Sequence, residues 1–321
     1  MALNILMIAI GFVLLIKGAD FLVEGASGIA KKFHIPEIII GLTIVSIGTS
    51  MPELFVSFTS ALKGYEDLAM GNVIGSNLCN LLLILGLSAT IKPIIFKKET
   101  KFIEIPMCLG ITIIFMILCN LGNGISRIDA GILIVLFVFF IIYTIVMSKK
   151  GQDFDNIDEE TRKKEAEEGA KRSTFINIAW IIVGIVALKF GGDFVVNSAE
   201  KIARAFHISE KIISLTIVAI GTSLPELVTS VTAAIKGDSD IAIGNIIGSN
   251  IFNILLIIGT SAMIRPIIYN PTYNLQLAIL IVSTIVLGIF PYTDRKDEMT
   301  RSNGITYLML YALYMAMLFA A

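Results

Sequence analysis

The sequence predicts an all-α polytopic membrane protein, with ten transmembrane helices in two inverted-topology five-helix repeats. Three observations carry that expectation. The chain is apolar: 55% of its 321 residues are hydrophobic and 16% charged, where a soluble domain has about a quarter charged. The charge is also concentrated. Residues 149–172 hold 7 basic and 8 acidic side chains, which leaves 36 charges on the remaining 297 residues, too few to coat a water-facing surface. Third, residues 18–95 align without a gap to residues 191–268 at a constant offset of 173, with 48 identities in 78 pairs.

A bilayer-spanning helix needs about 20 mostly apolar residues. Ten stretches meet this: 3–30, 37–62, 68–91, 103–121, 126–147, 174–203, 210–235, 240–264, 275–291 and 303–320. The first has no basic region ahead of it and reads as a retained helix, not a cleaved signal. The first and sixth are longer than a bilayer requires and should tilt. Segment 149–172 is the one hydrophilic linker, so the chain divides into a first repeat (1–148), a charged cytoplasmic loop (149–172) and a second repeat (173–321). Placing the N-terminus outside puts 17 Lys and Arg on inner connections and 6 on outer ones, as cytoplasmic loops require. Both termini are then extracytoplasmic and the chain is integral to the cell membrane. Five spans per half is an odd number, so the second half enters from the opposite side. Inverted repeats of this kind belong to secondary transporters, whose substrate site lies near the midplane where the repeats meet.

Composition excludes other classes. Net charge is −1, so nucleic acid is not an expected partner. Cys79, Cys108 and Cys119 sit in apolar runs without ligand spacing. His34 and His207 are the only histidines, too few for a metalloprotease helix. No activated nucleophile with a base lies in the spans, which argues against an intramembrane hydrolase and against an enzyme of any kind.

Two blocks place polar residues where the bilayer is driest. Gly48-Thr49-Ser50-Met51-Pro52-Glu53 is matched by Gly221-Thr222-Ser223-Leu224-Pro225-Glu226. Gly71-Asn72-Val73-Ile74-Gly75-Ser76-Asn77-Leu78-Cys79-Asn80 is matched by Gly244-Asn245-Ile246-Ile247-Gly248-Ser249-Asn250-Ile251-Phe252-Asn253. A carboxylate at this depth costs several kcal/mol on insertion scales and needs a partner. No Lys or Arg stands at matching depth, so a bound cation is the simplest counter-charge. Thr49 and Glu53, and Ser76 and Asn80, are four apart and share a helical face, as do Thr222 with Glu226 and Ser249 with Asn253. Pro52 and Pro225 break the helix and free carbonyls around Ser46–Gly48 and Ala219–Gly221 as further ligands. Every donor is oxygen. Two bidentate Glu side chains and two carbonyls reach the six to eight oxygens Ca²⁺ takes, and Na⁺, also hard, accepts the same ligands.

Neighbouring residues read differently. Asn77 and Asn250 lie off the Ser76–Asn80 face and read as interhelical hydrogen-bonding residues. Asn72 and Asn245 read as helix-start or packing residues, and the Gly-x-x-x-Gly pairs at Gly71–Gly75 and Gly244–Gly248 as close helix contacts. Asp20 and Asp193, near Lys17 and Lys189, read as local ion pairs.

The doubled G-T-S-x-P-E and G-N-x-x-G-S-N-x-x-N blocks resemble the alpha repeats of the cation/calcium antiporter superfamily, in its sodium/calcium exchanger branch with prokaryotic members. The resemblance implies a core of the second, third, seventh and eighth helices, with Thr49, Ser50, Glu53, Ser76 and Asn80 coordinating from one repeat. Thr222, Ser223, Glu226, Ser249 and Asn253 would coordinate from the other, with backbone oxygens of Ser46 and Ala219. It implies Na⁺ and Ca²⁺ as transported ions, no cofactor, a monomeric functional unit in the lipid bilayer, and long first and sixth helices that slide across the core. The chain departs from the branch at Asn253, where well-characterised members carry Asp, and at Asn80, where potassium-dependent ones do. The formal site charge is then −2, so the family's three-to-one stoichiometry does not carry over. The alternative is a proton-coupled Ca²⁺ antiporter, whose branch carries a Glu after Gly-Asn that is absent here.

Overall fold

The computed structural model describes residues 2–33, 35–122, 124–154, 173–205, 219–293 and 297–320. His34, His207 and the start of the seventh expected span lie outside them. The helices are α1 (Ala2–Phe33), α2 (Glu37–Thr49), α3 (Met51–Lys63), α4 (Glu66–Ile91), α5 (Thr100–Leu121), α6 (Arg127–Phe154), α7 (Thr174–Ala205), α8 (Ala219–Thr222), α9 (Leu224–Lys236), α10 (Ser239–Ile264), α11 (Asn274–Thr293) and α12 (Arg301–Ala320). They fall on the ten expected stretches. Among the described residues, seven are long and apolar enough to cross a membrane, or eight if the bent pair α2–α3 is one span.

Burial separates centre from rim. Of an 18-residue stretch in each, 94% of α10 and 72% of α4 is enclosed, against 22% of α6. The outer surface carries large apolar side chains such as Leu121, Ile128 and Phe175, 78%, 78% and 81% exposed, a surface suited to lipid and not to water. Small residues let the central backbones meet. A Cβ at Gly244 would stand 2.7 Å from the Ile38 carbonyl, and one at Gly248 would stand 2.7 Å from the Leu42 carbonyl. The Gly-x-x-x-Gly reading therefore holds for α10 against α2. By the 173-residue offset, the corresponding neighbours of Gly71 and Gly75 fall mostly within 206–218, outside the described residues.

α1 and α7 are each 32 residues long and cross antiparallel along a glycine seam. Gly11 meets Gly191, Gly18 meets Gly184 and Gly25 meets Asn177, with built Cβ positions 2.7–3.0 Å from the facing carbonyl oxygens. The seam residues recur every seven positions, so they form one stripe along each helix. α3 and α9 both end in Lys-Gly. Gly64 (φ 78°) and Gly237 (φ 95°) take the left-handed cap that stops each helix. Two short antiparallel pairings, Ile94–Ile95 with Glu298–Met299 and Gly124–Ile125 with Ile267–Ile268, tie the connections together.

Candidate cation site

The site begins with two broken helices. Pro52 and Pro225 supply no N–H, so the carbonyls of Gly48 and Gly221 lack their i+4 donor. The chain turns at Ser50 (φ −82°, ψ 8°) and at Ser223 (φ −87°, ψ 7°), and α3 leaves α2 at 51°. The Ser46 carbonyl keeps its helical bond, accepting from the Ser50 N–H at 3.0 Å; the Thr49 hydroxyl stands 3.3 Å away but gives its one proton to Asn245 at the shorter 3.1 Å. Its second lone pair is all it offers a cation. Ala219, its counterpart, is the first described residue of α8. The facing helices carry π turns, Cys79–Ile84 in α4 and Asn253–Ile258 in α10, a distortion frequent at functional sites.

These elements bring Thr49, Ser50, Glu53, Ser76, Asn80, Thr222, Ser223, Glu226, Ser249 and Asn253 into the interior, Glu53 and Glu226 only 1% exposed. The hydrogen bonds cross between the halves. The Ser50 hydroxyl donates to Glu226 Oε1 at 2.8 Å, and the Ser223 hydroxyl donates to Glu53 Oε1 at 3.2 Å. Thr49 donates to Asn245 Oδ1 at 3.1 Å and Thr222 to Asn72 Oδ1 at 3.5 Å. Asn72 and Asn245 are anchored in turn by Nδ2 bonds to Ser57 and Ser230, each 2.9 Å. They do more than pack: each holds a Thr hydroxyl of the opposite half. Asn77 and Asn250 make the interhelical bonds expected of them and also reach the site, accepting from Asn253 Nδ2 at 2.9 Å and Asn80 Nδ2 at 3.1 Å. The sequence signal for all four was their identity in both copies.

What the network leaves over is as ordered as what it uses. Glu53 Oε2 and Glu226 Oε2, Ser76 Oγ and Ser249 Oγ, Asn80 Oδ1 and Asn253 Oδ1 are buried with no hydrogen-bond partner. They form three pairs of equivalent atoms, all able to accept. A buried acceptor without a donor is costly; these six, on the helices that the crossed bonds join, are the oxygens of a candidate cation cage, and a fourth matched pair, Ser88 Oγ and Ser261 Oγ, lies about two turns further along α4 and α10. Among the described residues no group of three His, Cys, Asp or Glu could hold a metal ion, so any cation here rests on two carboxylates with hydroxyls, amides and carbonyls. Asp20 and Asp193 stay outside the cage as local ion pairs, with Lys17 at 3.8 Å and Lys189 at 3.0 Å. Lys236 adds bridges of 3.1 Å to both Asp20 and Glu24. A cavity of about 500 Å³ between α3, α7 and α8–α9, lined by Pro52, Lys189, Asp193, Thr222 and Pro225, leads to one side of the site.

An apolar helical bundle with an apolar rim and a polar, carboxylate-bearing centre defines an integral membrane transport protein. The chain belongs to the sodium/calcium exchanger protein family, whose profile matches residues 3–146 and 176–320. It is 34% identical to Inner membrane protein YrbG of Escherichia coli (strain K12), over 99% of this chain and 98% of that one. It is 35% identical to the putative antiporter CaxA of Alkalimonas amylolytica, over 98% of both. Its fold matches that of the sodium-calcium exchanger NCX_Mj, from a crystal soaked with Na⁺ and Ca²⁺, with a TM-score of 0.83 and 33% identity over 98% of both chains. It is a membrane cation antiporter of the calcium-exchanger class, and its relatives are transporters, not enzymes.

Proposed function

We propose that this protein exchanges Na⁺ for Ca²⁺ by alternating access. Its ten spans form two inverted repeats, residues 1–148 and 173–321, joined by a cytoplasmic loop at 149–172, with both termini outside and one chain as the working unit. Ions bind where the repeats meet, on Glu53 and Glu226, on the hydroxyls of Thr49, Ser50, Ser76, Thr222, Ser223 and Ser249, on the amide oxygens of Asn80 and Asn253, and on the carbonyls of Ser46 and Ala219. The observation that carries this is the three matched pairs of buried acceptors without donors. Six such oxygens, two of them anionic, suit one Ca²⁺ or Na⁺ ions in its place. With the carboxylates as the only charges, one Ca²⁺ or two Na⁺ neutralise the site.

An empty cage leaves two carboxylates uncompensated in low dielectric. The carrier therefore changes access only when loaded, and exchange dominates over leak. The cavity that Thr222 lines supports access to the site from that side. The test is ⁴⁵Ca²⁺ uptake into Na⁺-loaded vesicles with and without an uncoupler. Uptake that follows the Na⁺ gradient and survives the uncoupler supports the proposal; uptake driven by a pH gradient without Na⁺ replaces it with proton coupling.

A further inference from the structure

The orientation of the two amide ligands is dictated from outside the site. In each half one Asn carries both jobs of an anchor. Asn77 Nδ2 donates to the main-chain carbonyl of Asn250 at 3.2 Å, and Asn250 Nδ2 donates to that of Asn77 at 3.3 Å. A main-chain carbonyl only accepts, so each anchor must point its NH₂ at the backbone. That turns the anchors' Oδ1 atoms toward Asn253 Nδ2 (2.9 Å) and Asn80 Nδ2 (3.1 Å). These two bonds engage the amino ends of Asn80 and Asn253, while their Oδ1 atoms are buried with no partner. Turning either amide over would set oxygen against oxygen at the anchor and an N–H against the cation.

We infer that Asn77 and Asn250 are positioning residues: each fixes the amide of the opposite repeat, Asn77 that of Asn253 and Asn250 that of Asn80, with its oxygen toward the ion. This rests on the cation site proposed above and deepens it.

The pairing is crossed, and that makes it testable. Asn250 lies three residues from Asn253 but acts on Asn80. The experiment is a set of double-mutant cycles read as the Ca²⁺ concentration for half-maximal exchange, on purified, monodisperse protein in liposomes. Asn250→Ala should raise that concentration about tenfold or more, the cost of losing a neutral ligand to a charged group. In an Asn80→Ala background the same substitution should add less than about twofold, whereas in an Asn253→Ala background it should act in full. Asn77→Ala should couple to Asn253 and not to Asn80. Additive effects in all pairs, or stronger coupling within a repeat than across, would overturn the inference.

A second variant keeps the test alive if the anchors do not fold when truncated. Asn250→Gln keeps the amide but displaces it by one methylene, and its effect should still be lost in the Asn80→Ala background and kept in the Asn253→Ala one. An effect of Asn250→Gln that is unchanged by Asn80→Ala would also overturn the inference. Loss of Ca²⁺ exchange in the wild type itself, or its retention in Glu226→Gln, would fault the functional reading instead.

Discussion

Glu53→Gln isolates charge from shape. Glu53 is buried, its Oε1 accepts from Ser223, and its Oε2 has no partner. Gln can keep the Ser223 bond, but then turns its NH₂ to where the free oxygen was. At an effective dielectric of about 20, one carboxylate attracts a divalent cation about 4 Å away by roughly 8 kcal/mol, and a monovalent one by about 4. Relieving the repulsion from Glu226, taken at the same separation of about 4 Å, returns about 4 kcal/mol. The net loss for Ca²⁺ is then about 4 kcal/mol, or roughly a thousandfold in affinity, while a single Na⁺ is left almost unaffected. Calorimetric Ca²⁺ and Na⁺ titrations of purified protein, with ⁴⁵Ca²⁺ exchange in proteoliposomes, would read both. Ca²⁺ exchange near the wild-type rate in Glu53→Gln, at equal protein density, would refute the reasoning, and so would equal losses for the two ions.

Protons should compete at the same carboxylates, since a protonated Glu53 or Glu226 replaces part of the cation's charge. Exchange should slow on acidification between pH 8 and 5, and raising Ca²⁺ should restore it; inhibition that Ca²⁺ does not relieve would place the titrating group elsewhere. The seam between α1 and α7 predicts that Gly18→Leu slows exchange but spares Ca²⁺ binding, because the new side chain meets the Leu188 backbone nitrogen 2.9 Å and the Gly184 carbonyl 3.0 Å from its Cβ. Overpacking of this kind costs about 1–3 kcal/mol, and Gly131→Ala, with no atom within 4 Å of its Cβ, is the control that should be silent. Lys236→Met removes two partly exposed bridges, to Asp20 and Glu24, together worth about 1 kcal/mol, or roughly fivefold in a two-state equilibrium. A cysteine placed beside the bridges at the buried Val23 by Val23→Cys should then react several times faster with an impermeant maleimide; the native cysteines are buried, and an unchanged rate would show that the bridges do not hold α1.

The helices were legible because a bilayer span writes itself as about 20 apolar residues, and the bend because Pro52 removes a donor whatever surrounds it. The break frees Gly48, not Ser46, since the missing N–H is four residues after Gly48 and Ser50 still serves Ser46. The duplication identified the polar residues of the site but not their partners. An alignment pairs residues 173 apart, whereas Ser50 reaches Glu226 across 176 positions and Ser223 reaches Glu53 across 170; such pairings are set by how the helices cross. A helical wheel steps 100° per residue and sets Asn77 off the Ser76–Asn80 face. The π turn at Cys79–Ile84 breaks that step, and an amide reaches well beyond its own face. Asn72 and Asn245 reveal their part only once Thr222 and Thr49 stand beside them.

Two halves so alike in sequence hold unlike conformations, and the difference has an electrostatic side. On one side Lys236 clamps Asp20 and Glu24 of α1. On the other, its counterpart Lys63 has no ion-pair partner among the described residues, Asp193 keeps Lys189 of its own helix at 3.0 Å, and the cavity that Thr222 lines lies beside it. In the proposed cycle the opposite state exchanges these roles, with Lys63 closing on Asp193. The two clamps are not equal, because position 197, the equivalent of Glu24, is Asn. One clamp has two carboxylates and the other has one, a bias of about 0.5 kcal/mol toward the arrangement described here. Asn197→Glu should remove that bias and shift the two-state ratio about twofold toward the opposite arrangement. The readout is the maleimide reaction of Val23→Cys, which should rise about twofold over the same cysteine in the parent. A fall in its rate, or no change, would mean that the clamps follow the helix movement without steering it.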